Sequence, residues 1–166
     1  MAIKEIQVQR FSVTSSHSFQ DVLRRIEHAV GQPNMSSFRA DLASATTYLD
    51  LAKLVERAVG PSGLMEFIRF DLGEILRKHR GPQAPNVVRL VIGNPLMMKE
   101  MVDQVPDAGS YAPVTILIDE RPDGVHLSYD RIAGLLAGYN NERALQVAHD
   151  LDAKIESLLT RAAMEA

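Results

Sequence analysis

The stretch PVTILIDERPDGVHLSYD, residues 113 to 130, restricts the fold more than any other part of the chain. Two runs rich in β-branched and aromatic residues flank an Asp-Gly pair. Glycine tolerates the positive φ that tight turns need, so the runs are expected to form a hairpin of antiparallel neighbours. VVRLVIG supplies a further strand, LMEFIRFD at 64 to 71 another, and the polar-apolar alternation over 3 to 13 an opening strand with Ile6 and Val8 on one side. A sheet with one wet face would show polar residues at every second position. Here Val87 and Val91 point one way and Val88, Leu90 and Ile92 the other, while Val114, Ile116 and Ile118 oppose Thr115 and Leu117. The centre of the sheet is therefore expected to be covered on both sides. Helices can cover one side; an extra helix or a second copy of the chain must cover part of the other, and hiding such a patch favours association. The expected assembly is a homodimer.

Helical signals fill the gaps between strands. Ser18 precedes Phe19, Val22, Leu23, Ile26, Ala29 and Val30, with Asp21 three residues after the serine, so a capping box opens an amphipathic helix that Gly31 closes. One helix is expected from about 38 to 59 before GPSG stops it, a short one after the cap Asp71 through His79, and a long one from about 141 to 162 with a stripe from Ala144 to Leu159. Five strands and about five helices in this order point to an α+β fold with a mainly antiparallel five-stranded sheet in a single domain, residues 1 to 166. The glycines and prolines flanking the 38 to 59 helix are able to act as hinges, which makes that helix the expected moving part or interface arm.

Composition excludes several functions. Eighteen basic against twenty-one acidic residues leave a net charge of −3, with no positive excess that would attract nucleic acid or an anionic membrane. With no cysteine there are no disulfides, thiolate nucleophiles or cysteine-type zinc sites. The alternating opening MAIKEIQVQRF reads as neither secretory signal nor anchor, and no run approaches the roughly 20 apolar residues of a membrane span, so the expected location is cytoplasmic.

Four stretches carry a resemblance. VIGNP at a strand end, VPDAGSYAPVTILIDE, GVHLSYD after the hairpin and the opening VTSSHSFQDVLRRIEHAV resemble a family of small bacterial and archaeal domains, number three hundred and two in the domain-of-unknown-function series. The resemblance covers about three quarters of the chain and implies a fold similar to that of the TATA-binding protein, an antiparallel sheet with helices, in a family commonly dimeric and without an established activity. Residues 31 to 63 depart from that pattern as a helical insertion.

Candidate sites are few. In VIGNPLMMKEM, Gly93 ends a strand sharply, Asn94 can accept from a free N–H and Pro95 suits the first helical position; the same helix start could hold a phosphate or carboxylate, though Lys99 comes a turn too late for a phosphate loop. Met98 and Met101 have the spacing to share a soft metal, but with Met97 they are expected to fill core or interface, and no metal and no cofactor is expected. His126, Ser128 and Asp130 lie on one face of a strand and have the residue types of a hydrolase triad, with His126 as base and Asp130 as its orienter; in a line they do not converge, so a solvated face is the favoured reading. RKHRG at 77 to 81 complements a helix dipole. Tyr111, Tyr129 and Tyr139 could line a pocket. The leading reading is a homodimeric module that binds a small molecule, an anion or a protein partner without catalysis, using Gly93, Asn94, Pro95, Tyr111 and Tyr129. The alternative is an enzyme with His126 or a tyrosine as general acid or base in a pocket at the sheet edge.

Overall fold

The chain is seen in a computed structural model that describes residue 3 and residues 5–164. Five strands, β1 Arg10–Ser15, β2 Met65–Asp71, β3 Val87–Gly93, β4 Val114–Arg121 and β5 Gly124–Asp130, form one antiparallel sheet in the order β1-β5-β4-β3-β2. The hairpin expected from the Asp-Gly pair joins β4 to β5, with Arg121 opposite Gly124 and Gly124 at φ 136. Seven α-helices accompany the sheet: α1 Phe19–Ala29, α2 Met35–Ser44, α3 Tyr48–Ala58, α4 Leu72–Arg80, α5 Pro95–Gln104, α6 Ile132–Leu136 and α7 Glu142–Met164. The α+β fold with a mainly antiparallel sheet is as the strand pattern implied, and it is compatible with a likeness to the TATA-binding protein.

Two elements differ from expectation. The opening strand begins only at Arg10; Asp130 is the last residue of β5, and beyond it the chain turns into α6, so Ile6 and Val8 have no strand to pair with and stand exposed. Lys4, within the expected strand, lies outside the described residues. The single helix over 38 to 59 is two, because Thr47 accepts from the Asp50 N–H at 3.1 Å while the Asp50 carboxylate accepts from the Thr47 N–H at 3.2 Å, a capping box that starts α3 afresh. The flanking glycines are tied to one another's surroundings. Gly31 and Gly60 both donate to the Leu64 carbonyl at 2.9 Å, and Glu66 donates to the Gly31 carbonyl at 2.8 Å, so the segment leaves and returns at one fixed point.

One face of the sheet is sealed. Val88, Leu90 and Ile92 of β3, Val114, Ile116 and Ile118 of β4 and Val125, Leu127 and Tyr129 of β5 are buried with Ile26 of α1 and the α7 stripe, including Leu151, Ile155 and Leu159. Each such aliphatic side chain contributes about 1.5–3 kcal/mol by leaving water. Met97 and Met98 pack against this core and Met101 is inside it, so the methionines fill space.

The opposite face is open. Among the described residues only its corner is covered, where Met65 packs with Phe38, Leu54 and Val55 of α2 and α3. Beyond that corner, registered rows cross the strands: Phe70, Arg89, Leu117, Ser128 and Ser12 in one, and Val87, Asp119, His126 and Thr14 in the next. The expectation that the centre of the sheet is apolar on both faces is met only in part. Val87, Val91, Leu117, Ile68 and Phe70 are apolar, but Arg89, Thr115 and the whole β5–β1 half are polar, because the alternation that makes one face apolar places them on the other. Among the described residues no helix is long and apolar enough to cross a membrane.

Candidate functional site

A hollow of about 380 Å³ lies on the open face, at the end of β5 and the start of β4. Arg10, Arg89, Thr115, Leu117, Ser128 and Asp130 form its floor from the strands, while Tyr111, Pro113 and Leu135 wall it from the segments that precede β4 and follow β5. The volume lies within the range of small-molecule sites. Its charges are not equivalent. Arg10 holds Asp130 through two hydrogen bonds of 2.7 and 2.9 Å, and this pairing raises the arginine's pKa. Arg89 has no carboxylate partner among the described residues; its guanidinium stacks 5.5 Å above the Phe70 ring.

Of the sequence candidates, Tyr111, Ser128, Tyr129 and Asp130 line this hollow, and the others lie elsewhere. Tyr129 contributes little but backbone, because its side chain is 2% exposed and turned into the core, where the hydroxyl bonds Asp152. His126 is outside the hollow. Its Nε2 lies 2.9 Å from Asp123, so the carboxylate beside the imidazole is Asp123 and not Asp130, which Arg10 engages. That hydrogen bond is the main reason the Asp123 carboxyl sits below its ordinary range. Asn94 uses both ends of its amide structurally: it accepts from the Leu96 N–H at 2.9 Å to cap α5 and donates to the Gly63 carbonyl at 2.9 Å, with Pro95 at the first helical turn. Gly93 lies under Pro113, where a Cβ would come within 3.2 Å.

The tyrosines are poorly placed for proton transfer. Burial, reinforced by the charges of Asp152 and Glu156, raises the Tyr129 pKa, and a hydrogen bond with Tyr111, 3.3 Å away, raises that of Tyr139. Both hold their protons too tightly for a base near neutral pH. For Tyr129 this has a measurable sign. A raised folded pKa contributes stability that is complete below the unfolded tyrosine value of about 10 and is lost as pH rises toward the folded one. Tyr129→Phe should cost about 1 kcal/mol at neutral pH, and urea melts from pH 8 to 11 should show the parent losing stability faster than the variant; equal slopes would contradict the placement.

Sequence reasoning missed Arg89, Arg10, Thr115 and Leu117 as members of one hollow. The signal was period-two alternation, which puts Arg89 on the face of Val87 and Val91, but the register that sets it beside Leu117 and Ser128 is a tertiary fact. Among the described residues no cluster of three or more His, Asp or Glu could hold a metal ion.

The family described as domain of unknown function DUF302 matches residues 40–162. That match includes α3 and the second half of α2, within the segment read as an insertion. No curated protein matches the chain. A crystal structure of an uncharacterized conserved protein DUF302 from Bacillus stearothermophilus shares the fold at 13% identity, with a TM-score of 0.63 over 92% of this chain and 97% of that one.

Proposed function

The chain belongs to the DUF302 family, and from the geometry of its open sheet face we propose that it is a non-catalytic binding module: a small anion sits against Arg89 and a second copy of the chain covers the face. One observation carries this reading. Arg89 stands in a hollow of ligand size with no carboxylate partner among the described residues, while the neighbouring Arg10 and Asp130 already neutralise each other. A planar carboxylate suits a guanidinium in two-point contact, with Thr115 and Ser128 as further donors and Leu117, Pro113 and Leu135 against its apolar part.

The two halves of the proposal are linked. Ile68 and Phe70 remain 43% and 42% exposed beside Val87 and Val91, an apolar strip that a second copy would remove from water. Covering an unpaired guanidinium would cost several kcal/mol, and a bound carboxylate offsets that cost. Ligand and association should therefore favour each other. A binding role is supported by the engagement of the hollow's carboxylate, Asp130, by Arg10 and by the position of His126 outside it.

Benzoate is a suitable probe, being a planar carboxylate with an apolar ring. Titrated into the labelled full chain, it should shift the amides of Thr115, Leu117 and Ser128 saturably. Arg89→Gln should weaken that binding about 10-fold or more, the loss of one charged two-point contact, while leaving the melting temperature within about 2 °C. Equal affinity in parent and variant would contradict the assignment.

A further inference from the structure

The sheet has two edges, and they are not built alike. At β2 the pairing with β3 is broken between Glu66 and Ile68, and the start of the strand is bridged by Gly31, whose carbonyl accepts from the Glu66 N–H at 2.8 Å. A bulge and a cover are two of the devices that keep a strand edge from pairing with another chain. β1, at the opposite edge, has no bulge. Its stretch RFSVTS runs in unbroken register with β5, contains no proline or lysine, and carries one charge, Arg10, which Asp130 already engages.

The register decides which backbone groups of β1 are left over. Arg131 donates to the Gln9 carbonyl at 2.9 Å, just beyond the Arg10–Asp130 pair. In an antiparallel ladder each residue turns its N–H and C=O to one side and the next residue turns them to the other. Counted from Gln9, the residues Phe11, Val13 and Ser15 point theirs at β5, whereas Arg10, Ser12 and Thr14 point theirs away from the sheet. Those three are exposed, and no hydrogen bond among the described residues reaches their outward N–H and C=O groups. Phe11 and Val13 are only half-buried, on the face that the helices cover.

We propose that the β1 edge pairs antiparallel with β1 of a second copy, about a two-fold axis at Ser12, so that two sheets become one. The strand is self-complementary in that register. Ser12 exchanges hydrogen bonds with the partner's Ser12, and Arg10 with the partner's Thr14, about six bonds in all. Between them Phe11 stands opposite the partner's Val13, in the non-hydrogen-bonded position where side chains come closest, so both apolar residues of each strand gain a partner. Sliding the register by two residues in either direction leaves a single apolar pair. The seam is short, so the association is weak and the edge stays open at micromolar concentration. It is a separate surface from the open sheet face: it adds copies to a face-covered pair and does not rest on that reading.

Amide hydrogen exchange, read residue by residue on the labelled full chain from micromolar concentration to about 1 mM, tests the seam. The amides of Phe11, Val13 and Ser15 should be protected throughout, as members of the β1–β5 ladder. Those of Arg10, Ser12 and Thr14 should exchange freely in dilute solution and slow about 10-fold or more as the concentration rises, with sedimentation showing the added copies. Ser12→Pro and Thr14→Pro each remove an outward N–H, where an edge strand tolerates proline, and should abolish the slowing at the remaining outward amides, with the melt of each variant confirming that it is folded. Arg89→Gln should leave the slowing intact, which separates the seam from the open face. Fast exchange of the three amides at every concentration, or a slowing that both proline variants retain, would overturn the assignment.

Discussion

Asp152→Ala is expected to destabilise the protein by about 3–5 kcal/mol, the range for leaving buried charged partners unpaired. Asp152 lies on the buried stripe of α7, 1% exposed, where a heptad-like reading expects an apolar residue. Its carboxylate accepts from the backbone N–H groups of Ile132 at 2.9 Å and Ala133 at 3.0 Å, and from the Tyr129 hydroxyl at 3.3 Å. The first two are orphan donors at the start of α6, whose own N-cap residue, Arg131, offers no side-chain bond. One helix is thus capped by a carboxylate from another, which also fixes α6 on the core. Arg131 adds its charge, 3.8 Å from the same carboxylate and 2.9 Å from Glu156. Alanine would leave two buried N–H groups unpaired and the neighbouring arginine undercompensated. At about 2–4 °C per kcal/mol for a domain of this size, the midpoint should fall by roughly 10 °C. Asp152→Asn keeps one acceptor and should fall between the two. Glu156→Ala, a partly exposed pair, should cost about 1 kcal/mol or less. A loss under 1 kcal/mol for alanine at 152, in thermal or urea melts, would contradict the cap.

Gly31→Ala should be of similar severity for a different reason. A Cβ there would lie 1.9 Å from the Ala58 carbonyl oxygen and 2.7 Å from the Gly60 nitrogen, and one on Gly60 would come within 2.6 Å of the Ala29 oxygen. All of these are backbone atoms, so no side chain can swing aside. The crossing must open, and with it the two bonds to the Leu64 carbonyl, at about 1 kcal/mol each on top of about 1–3 kcal/mol of overpacking. The expected loss is about 4 kcal/mol in either single variant, and less than additive in the pair because one opened crossing accommodates both. Gly109→Ala, whose Cβ would meet only Val102 at 3.7 Å, is the control and should change the midpoint little. A Gly31 variant as stable as the Gly109 one would show that the crossing is mobile after all.

These two positions mark where legibility in the sequence ends. Period-two alternation identified the central strands, and the Asp-Gly pair identified their pairing, because both depend on neighbours within a few residues. The stop at Ala45–Thr47 was equally local: Thr47 and Asp50 have capping-box spacing, and the apolar pattern running from Phe38 to Val59 masked it. Asp152 carried no signal in the stripe reading of the last helix, since its partners at Ile132 and Ala133 are twenty and nineteen residues away. Gly31 and Gly60 read as flexible points for the same reason; the close approach that locks them exists only in three dimensions. The hollow at Arg89 needed the register of three strands, and the packing of α1 on α7 joins two helices too far apart in sequence for a local pattern to place side by side.

The reading of the open sheet face as the working surface is tested most directly by native mass spectrometry of the full chain, purified without added ligand and measured at micromolar concentration. The expected spectrum shows two copies with a retained small anion, and its release by Arg89→Gln together with a shift toward single copies. A single copy carrying nothing, with a spectrum that Arg89→Gln leaves unchanged, would contradict it.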